Sequence, residues 1–134
     1  MAILVDSSVW INYFNGAVTP ETDRLDQLLG AQHILVGDLI LTEVLRGFKN
    51  PRHFEAAQRL LTRSPVIPLV GAAQALQSAR NFRLLRSRGV TVRKTIDCLI
   101  ATWCIDTRTS LLHADRGFDP FVTHLGLGVV EVGD

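Results

Sequence analysis

The sequence predicts an α/β fold: a three-layer sandwich in which a mostly parallel sheet of four to five short strands lies between helices. Three observations predict it. Short apolar runs alternate with stretches of helical periodicity, the pattern of parallel strands joined by helical crossovers. The first run, Ala2–Val5, is apolar throughout and stops at an acid, as a strand buried on both faces does. The length, 134 residues, suits one domain over 1–134. Folding at that size buries roughly two-thirds of the unfolded chain's surface, enough for a core.

The elements follow in order. Ser7–Asn15 reads as a helix stopped by Gly16. Thr19 caps a second helix, with Pro20 at its first position and Glu21 and Asp23 in its first turn. Ile34–Val36 is a second strand. Asp38 then caps a helix over Leu39–Phe48 whose apolar face is Ile40, Leu41, Val44, Leu45 and Phe48, leaving Glu43 off that face. Pro51 starts a fourth helix with Phe54, Ala57, Leu60 and Leu61 inward, and Val66–Leu69 forms a strand. Gly71–Arg88 is helical, with Ala72, Ala75, Leu76, Ala79, Phe82 and Leu85 inward and arginines outward. Thr95 caps a helix from Ile96 to about Asp106. Leu111–His113 is a strand, Asp115–Pro120 a polar turn and Val129–Val132 a last strand.

Composition narrows the functional classes. No apolar run approaches the ~18 residues of a membrane span. The amino-terminal segment has no basic region, and Asp6 breaks its apolar run, so it does not read as a secretory signal. Cys98 and Cys104 fall on one predicted helix, ~9 Å apart along its axis, too far for a disulfide. Free thiols and no signal point to the cytoplasm. His33, His53, His113 and His124 have no zinc-ligand spacing. The formal net charge of +1 hides a partition. Residues 56–96 hold eight bases and no acid: Arg59, Arg63, Arg80, Arg83, Arg86, Arg88, Arg93 and Lys94. Such a segment is either a solvated face or a footprint for phosphates, which guanidinium forks suit. The candidates for RNA contact are Arg80, Arg83, Arg86, Arg93 and Lys94.

In parallel sheets the active crevice lies beyond the carboxyl ends of the strands. Asp6 follows the first strand and Asp115 the penultimate one. Glu43 lies about one turn past the second strand, and Asp97 sits in the first turn of a helix. Each has a plain structural reading: Asp6 as a helix cap, Glu43 as a surface partner of Arg46, Asp97 as a charge on the helix dipole, Asp115 as a turn residue. Together they make a different case. Two like charges 4 Å apart repel by ~4 kcal/mol at an effective dielectric of 20. A converged set must raise its pKa values or bind a cation. All-oxygen donors select Mg²⁺, with Mn²⁺ as a substitute, over zinc.

The segments carrying these acids are Ile3-Leu4-Val5-Asp6-Ser7-Ser8-Val9-Trp10, Leu41-Thr42-Glu43-Val44-Leu45-Arg46-Gly47, Asp97-Cys98-Leu99-Ile100-Ala101 and Leu112-His113-Ala114-Asp115-Arg116-Gly117-Phe118. In order and spacing they resemble the PIN domain, and more closely the VapC-type toxins of bacterial toxin–antitoxin pairs. The resemblance implies a PIN-like fold and a Mg²⁺-dependent endoribonuclease. It also implies a homodimer held inactive by a cognate antitoxin. Carried over by position, Asp6, Glu43, Asp97 and Asp115 are all catalytic and metal-site residues, with Asp6 and Asp97 the principal ligands and Glu43 and Asp115 completing the site, and Ser8 is a polar helper. Products with 5′-phosphate and 3′-hydroxyl ends are implied as well. One position departs: where the family often carries a further acid two residues after the one matched by Asp115, this chain has Gly117, with Asp119 two residues later.

Three further readings compete. The same fold can hold RNA or an antitoxin without cutting, with Gly117 marking loss of catalysis. A phosphoacceptor receiver domain needs an acid pair after the first strand and a late Lys, but the first strand ends in Asp6-Ser7 and no Lys follows Lys94. A HAD-type phosphatase needs Asp-x-Asp there, which Asp6-Ser7-Ser8 lacks.

Overall fold

The computed structural model describes residues 2–31 and 33–133. Four strands, β1 (Ile3–Val5), β2 (Ile34–Gly37), β3 (Val66–Ile67) and β4 (Ser110–Leu112), form one sheet in the order β3-β2-β1-β4. Every pairing is parallel; Leu4 stands opposite Leu35 on one side and Leu111 on the other. The helices are α1 (Ser7–Phe14), α2 (Pro20–Ala31), α3 (Asp38–Leu45), α4 (Pro51–Leu61), α5 (Ala72–Ser87), α6 (Thr95–Thr107) and α7 (Asp119–Leu125). Helix α1 packs on both α2 and α3, and α3 packs on α4; α5 packs on α6 and α7. The predicted α/β sandwich is therefore present, with four strands, within the four to five expected. Leu4, Val5, Val36, Leu111 and Leu112 are almost wholly buried, as parallel strands covered on both faces require. Among the described residues no helix is long and apolar enough to cross a membrane.

Several boundaries differ from expectation for identifiable reasons. The third helix ends at Leu45, not Phe48, because the chain tightens through Arg46 and Gly47 before Asn50 caps α4. Asp38 is not its cap: Gly37 holds that position, and Asp38 Oδ1 accepts from the Leu39 and Leu69 amides at 2.8 and 3.1 Å. Gly37 also admits the buried Leu69 side chain, with which a Cβ at that position would collide. β3 stops after two residues because Pro68 cannot donate to the ladder. The carboxyl-terminal strand reduces to one parallel bridge, Leu111 with Val129. Thr95 opens α6 but does not cap it; Lys94 holds the cap position without a side-chain capping bond. The turn at Asp115–Pro120 is instead a 3₁₀ turn (Arg116–Phe118) leading into α7, with Pro120 placed where a missing N–H costs nothing. Phe54 is partly exposed rather than inward.

The largest correction is the face of α5. Ala72, Ala75, Leu76 and Ala79 point outward, Leu76 being 59% exposed, whereas Ser78, Asn81 and Leu85 are buried and Phe82 is half-buried. Polar groups line this seam. Asn81 Nδ2 donates to Thr102 Oγ1 of α6 at 2.9 Å and Asn81 Oδ1 accepts from Gln77 Nε2 at 3.0 Å. Cys98 Sγ donates to the Ser78 carbonyl at 3.3 Å. A helical wheel scored by hydrophobicity selects the alanine side and misses a buried face that is held by hydrogen bonds.

Candidate active site

The chain runs outward from β1 to β2 and β3, then returns to the far side of β1 as β4. That leaves a switch in strand order between β1 and β4, the usual place for a crevice in an open parallel sheet. Asp6 follows β1 there, its amide bonded to the Leu112 carbonyl at 2.9 Å. It caps α1: Oδ2 accepts from the Ser8 amide at 3.0 Å and from Ser8 Oγ at 2.6 Å. Ser8 Oγ in turn accepts from the Ala114 amide at 3.1 Å, which ties the end of β1 to the segment after β4. The capping reading of Asp6 is thus correct for one oxygen only. The other, Oδ1, is buried with no hydrogen-bond partner among the described residues.

Asp115 lies across the switch. Its amide donates to His113 Nδ1 at 3.2 Å, and its Oδ1 accepts from the Gly117 amide at 2.8 Å, capping the 3₁₀ turn. Phe118, fully buried and 5.0 Å from the His113 ring, anchors that turn. Asp97 stands in the first turn of α6, only 8% exposed, beside the buried Cys98, Ile100 and Ala101. Gly117 lies between the two acids: a Cβ there would meet Asp115 Oδ1 at 3.1 Å and Asp97 Oδ2 at 3.3 Å. A side chain at 117 would crowd both carboxylates, and this chain supplies only a backbone N–H there. Asp119 does not supply a further acid in its stead; it is exposed in the first turn of α7. Glu43, half-buried on α3, accepts from Ser7 Oγ at 3.2 Å.

The charges sense one another. Burial, then the Asp6 and Asp115 charges, pushes the Asp97 carboxyl up to about 6. Burial raises Asp6 against the lowering effect of its Ser8 bonds. Burial and Asp6 raise Glu43. Asp115 moves the other way, held down by the Gly117 amide and the Lys94 ammonium. The four acids taken from distant segments therefore share one neighbourhood. Among the described residues no three His, Cys, Asp or Glu side chains stand as a ready-made metal cage. The donor set nevertheless fits a hard divalent ion. It is all oxygen, it leaves a buried carboxylate oxygen unpartnered, and Mg²⁺ characteristically takes one or two carboxylates and keeps several waters.

A cleft of about 380 Å³ opens beside Asp97 and Asp115, with Arg93, Lys94 and Arg116 on its rim and Val90, Val92 and Pro120 in its wall. Of the predicted basic contacts, Arg93 and Lys94 are at the site. Arg80, Arg83 and Arg86 are exposed on α5 and are not among the cleft's lining residues. Sequence reasoning missed Arg116, whose adjacency to Asp115 was the available signal. It also missed Ser7, the residue next to Asp6.

The PIN domain family model matches residues 3–121. A VapC ribonuclease of Mycobacterium bovis is 30% identical over 119 residues, covering 87% of this chain and 89% of the relative. Ribonuclease VapC11 of Mycobacterium tuberculosis matches to the same extent. Among solved structures, VapBC2 from Rickettsia felis, bound to a DNA fragment from its promoter, superposes with a TM-score of 0.77 at 17% identity, over 99% of this chain and 100% of that one. A toxin–antitoxin complex from Klebsiella pneumoniae gives 0.67 at 20% identity, over 97% of each chain. At such identities the structures speak for the fold, while the family model and the curated relatives speak for descent: the chain belongs to the PIN domain family, and the relatives it matches there over most of its length are VapC ribonucleases.

Proposed function

We propose that this chain is a Mg²⁺-dependent endoribonuclease, with Mn²⁺ as a substitute ion, and the toxic partner of an antitoxin. The observation that carries the reading is the pair of buried carboxylates at the β1–β4 switch, Asp6 with an unpartnered oxygen and Asp97 with a raised pKa. Two such groups in one neighbourhood call for a compensating cation. The ribonucleases among the chain's relatives favour RNA as the substrate, and the toxin–antitoxin complexes among its structural neighbours favour an antitoxin as the partner. A homodimeric state belongs to the same proposal.

Asp6 and Asp97 hold the ion. When bound, it supplies Lewis-acid stabilisation of charge developing on the phosphodiester and acidifies water at the site. Ser8 orients Asp6 and ties it to the segment bearing Asp115. Ser7 orients Glu43. Glu43 or Asp115 accepts the proton of the attacking water, and Glu43 suits that task because burial and the Asp6 charge raise its basicity. Arg93 and Arg116 draw the phosphate backbone to the rim of the cleft. Arg80, Arg83 and Arg86 extend the positive field along α5.

The test is cleavage of RNA by the purified chain with Mg²⁺ or with chelator, beside Asp6→Asn. Activity should need the ion. The substitution should cost more than the ~10–100-fold typical of losing an outer-shell partner of a metal ligand. Water attack leaves 5′-phosphate and 3′-hydroxyl ends; a 2′,3′-cyclic phosphate would refute it. RNA binding without cleavage under every metal condition would select the non-cutting reading instead.

A further inference from the structure

The chain carries 14 basic and 13 acidic residues, yet among the described residues a single Lys or Arg side chain forms an ion pair. That pair is at the acidic site: Lys94 Nζ lies 3.3 Å from Asp115 Oδ2. Asp115 Oδ1 is already taken by the Gly117 amide, so both oxygens of this acid are engaged, in contrast to the free oxygen of Asp6. The ammonium is 65% exposed and comes from the residue at the α6 cap position, where it meets the open cleft rather than the core. An ammonium on a flexible four-carbon stem is a point charge with no fixed docking geometry. An exposed pair of this kind is weak and exchangeable.

We infer that Lys94 is a tethered counter-cation of the carboxylate cluster, displaced from Asp115 when a divalent ion enters and thereby released toward phosphate in the adjoining cleft. The inference rests on the metal reading above. It gives Lys94 two positions, one over the acids and one at the cleft, and makes ion loading favour RNA binding. Loading with the ion frees Asp115 and, in the same exchange, frees a cation for the substrate.

The measurement is calorimetric titration of the full chain with Mn²⁺ alone, for wild type, Lys94→Met, Asp115→Asn and the double substitution. Exposure of Lys94 leaves the fold little dependent on it, and Lys94→Gln provides a second uncharged variant with matched thermal melting. Removing the competing ammonium should tighten Mn²⁺ binding about twofold to fivefold, the range an exposed ion pair is worth. In the Asp115→Asn background the same removal should change affinity less than twofold. Unchanged or weaker binding in both Lys94 variants would overturn the inference. So would an equal gain in the Asp115→Asn background, which would mean a general charge effect. Failure of the wild type to bind Mn²⁺ would overturn this inference together with the metal reading. Normal Mn²⁺ exchange with no RNA cleavage would leave it standing and remove the ribonuclease reading.

Discussion

Asp97 is where burial and function oppose each other. A carboxyl held near 6 in the folded chain and near 3.8 when exposed keeps its proton longer in the fold. The folded state then binds more protons at Asp97 between these values, so this group's contribution to stability is fullest below about pH 4 and is lost as pH rises through 6. Asp97→Asn removes that loss. In chelator at pH 7 the variant should be more stable than wild type, on the order of 2–3 kcal/mol, with the gap closing toward pH 4. Urea unfolding across that range checks it; parallel curves would mean that burial and the neighbouring acids do not raise Asp97. A cap-only role for Asp97 predicts the opposite sign, since the substitution would then cost helix stability. Of the four acids, Asp6 stood out alone, as a carboxylate ending an apolar strand, while Glu43, Asp97 and Asp115 each had an ordinary structural reading and stood out only as a set. Arg116 and Ser7 were not singled out: adjacency to Asp115 and to Asp6 was their only signal, and it shows no role until the partner segment is in place.

At the scale of elements, the pairing of α5 with α6 positions Asp97, and its seam is polar. Asn81 and Thr102 are buried and bonded to each other. Thr102→Val should cost about 1–3 kcal/mol by stranding the Asn81 amide, and Asn81→Leu a similar amount by stranding the Thr102 hydroxyl. The double substitution should cost clearly less than the two losses combined, because no unsatisfied partner remains. Denaturant unfolding of the four proteins provides the cycle; simple additivity would show that the bond is not the unit of stability there. This seam also explains why the inward face of α5 was misread while α1, α2 and α4 were largely legible. Those helices bury apolar side chains and announce themselves by periodicity, with caps at Thr19 and Asn50. In α5 the alanines and Leu76 face out and the buried positions are Ser and Asn. Likewise α7 looked like a turn because Asp, Pro and Gly suit both a turn and a helix start.

At the scale of the whole molecule, the strand order β3-β2-β1-β4 makes the site. Alternating apolar runs and helical stretches are enough to expect a parallel sheet, but not to say that the last strand returns beside the first. That return depends on packing between segments more than a hundred residues apart, as in the bond from the Ala114 amide to Ser8. Once it is made, Asp6 and Asp115 leave neighbouring strand ends, α3 brings Glu43, and α6 brings Asp97 across Gly117. The central claim is that these side chains serve one hard cation. Anomalous scattering from Mn²⁺ in crystals of this chain tests it most directly. A peak against the carboxylates of Asp6 and Asp97 is the predicted result; a Mn²⁺-soaked crystal with that place empty, or with the ion bound only elsewhere, would contradict it.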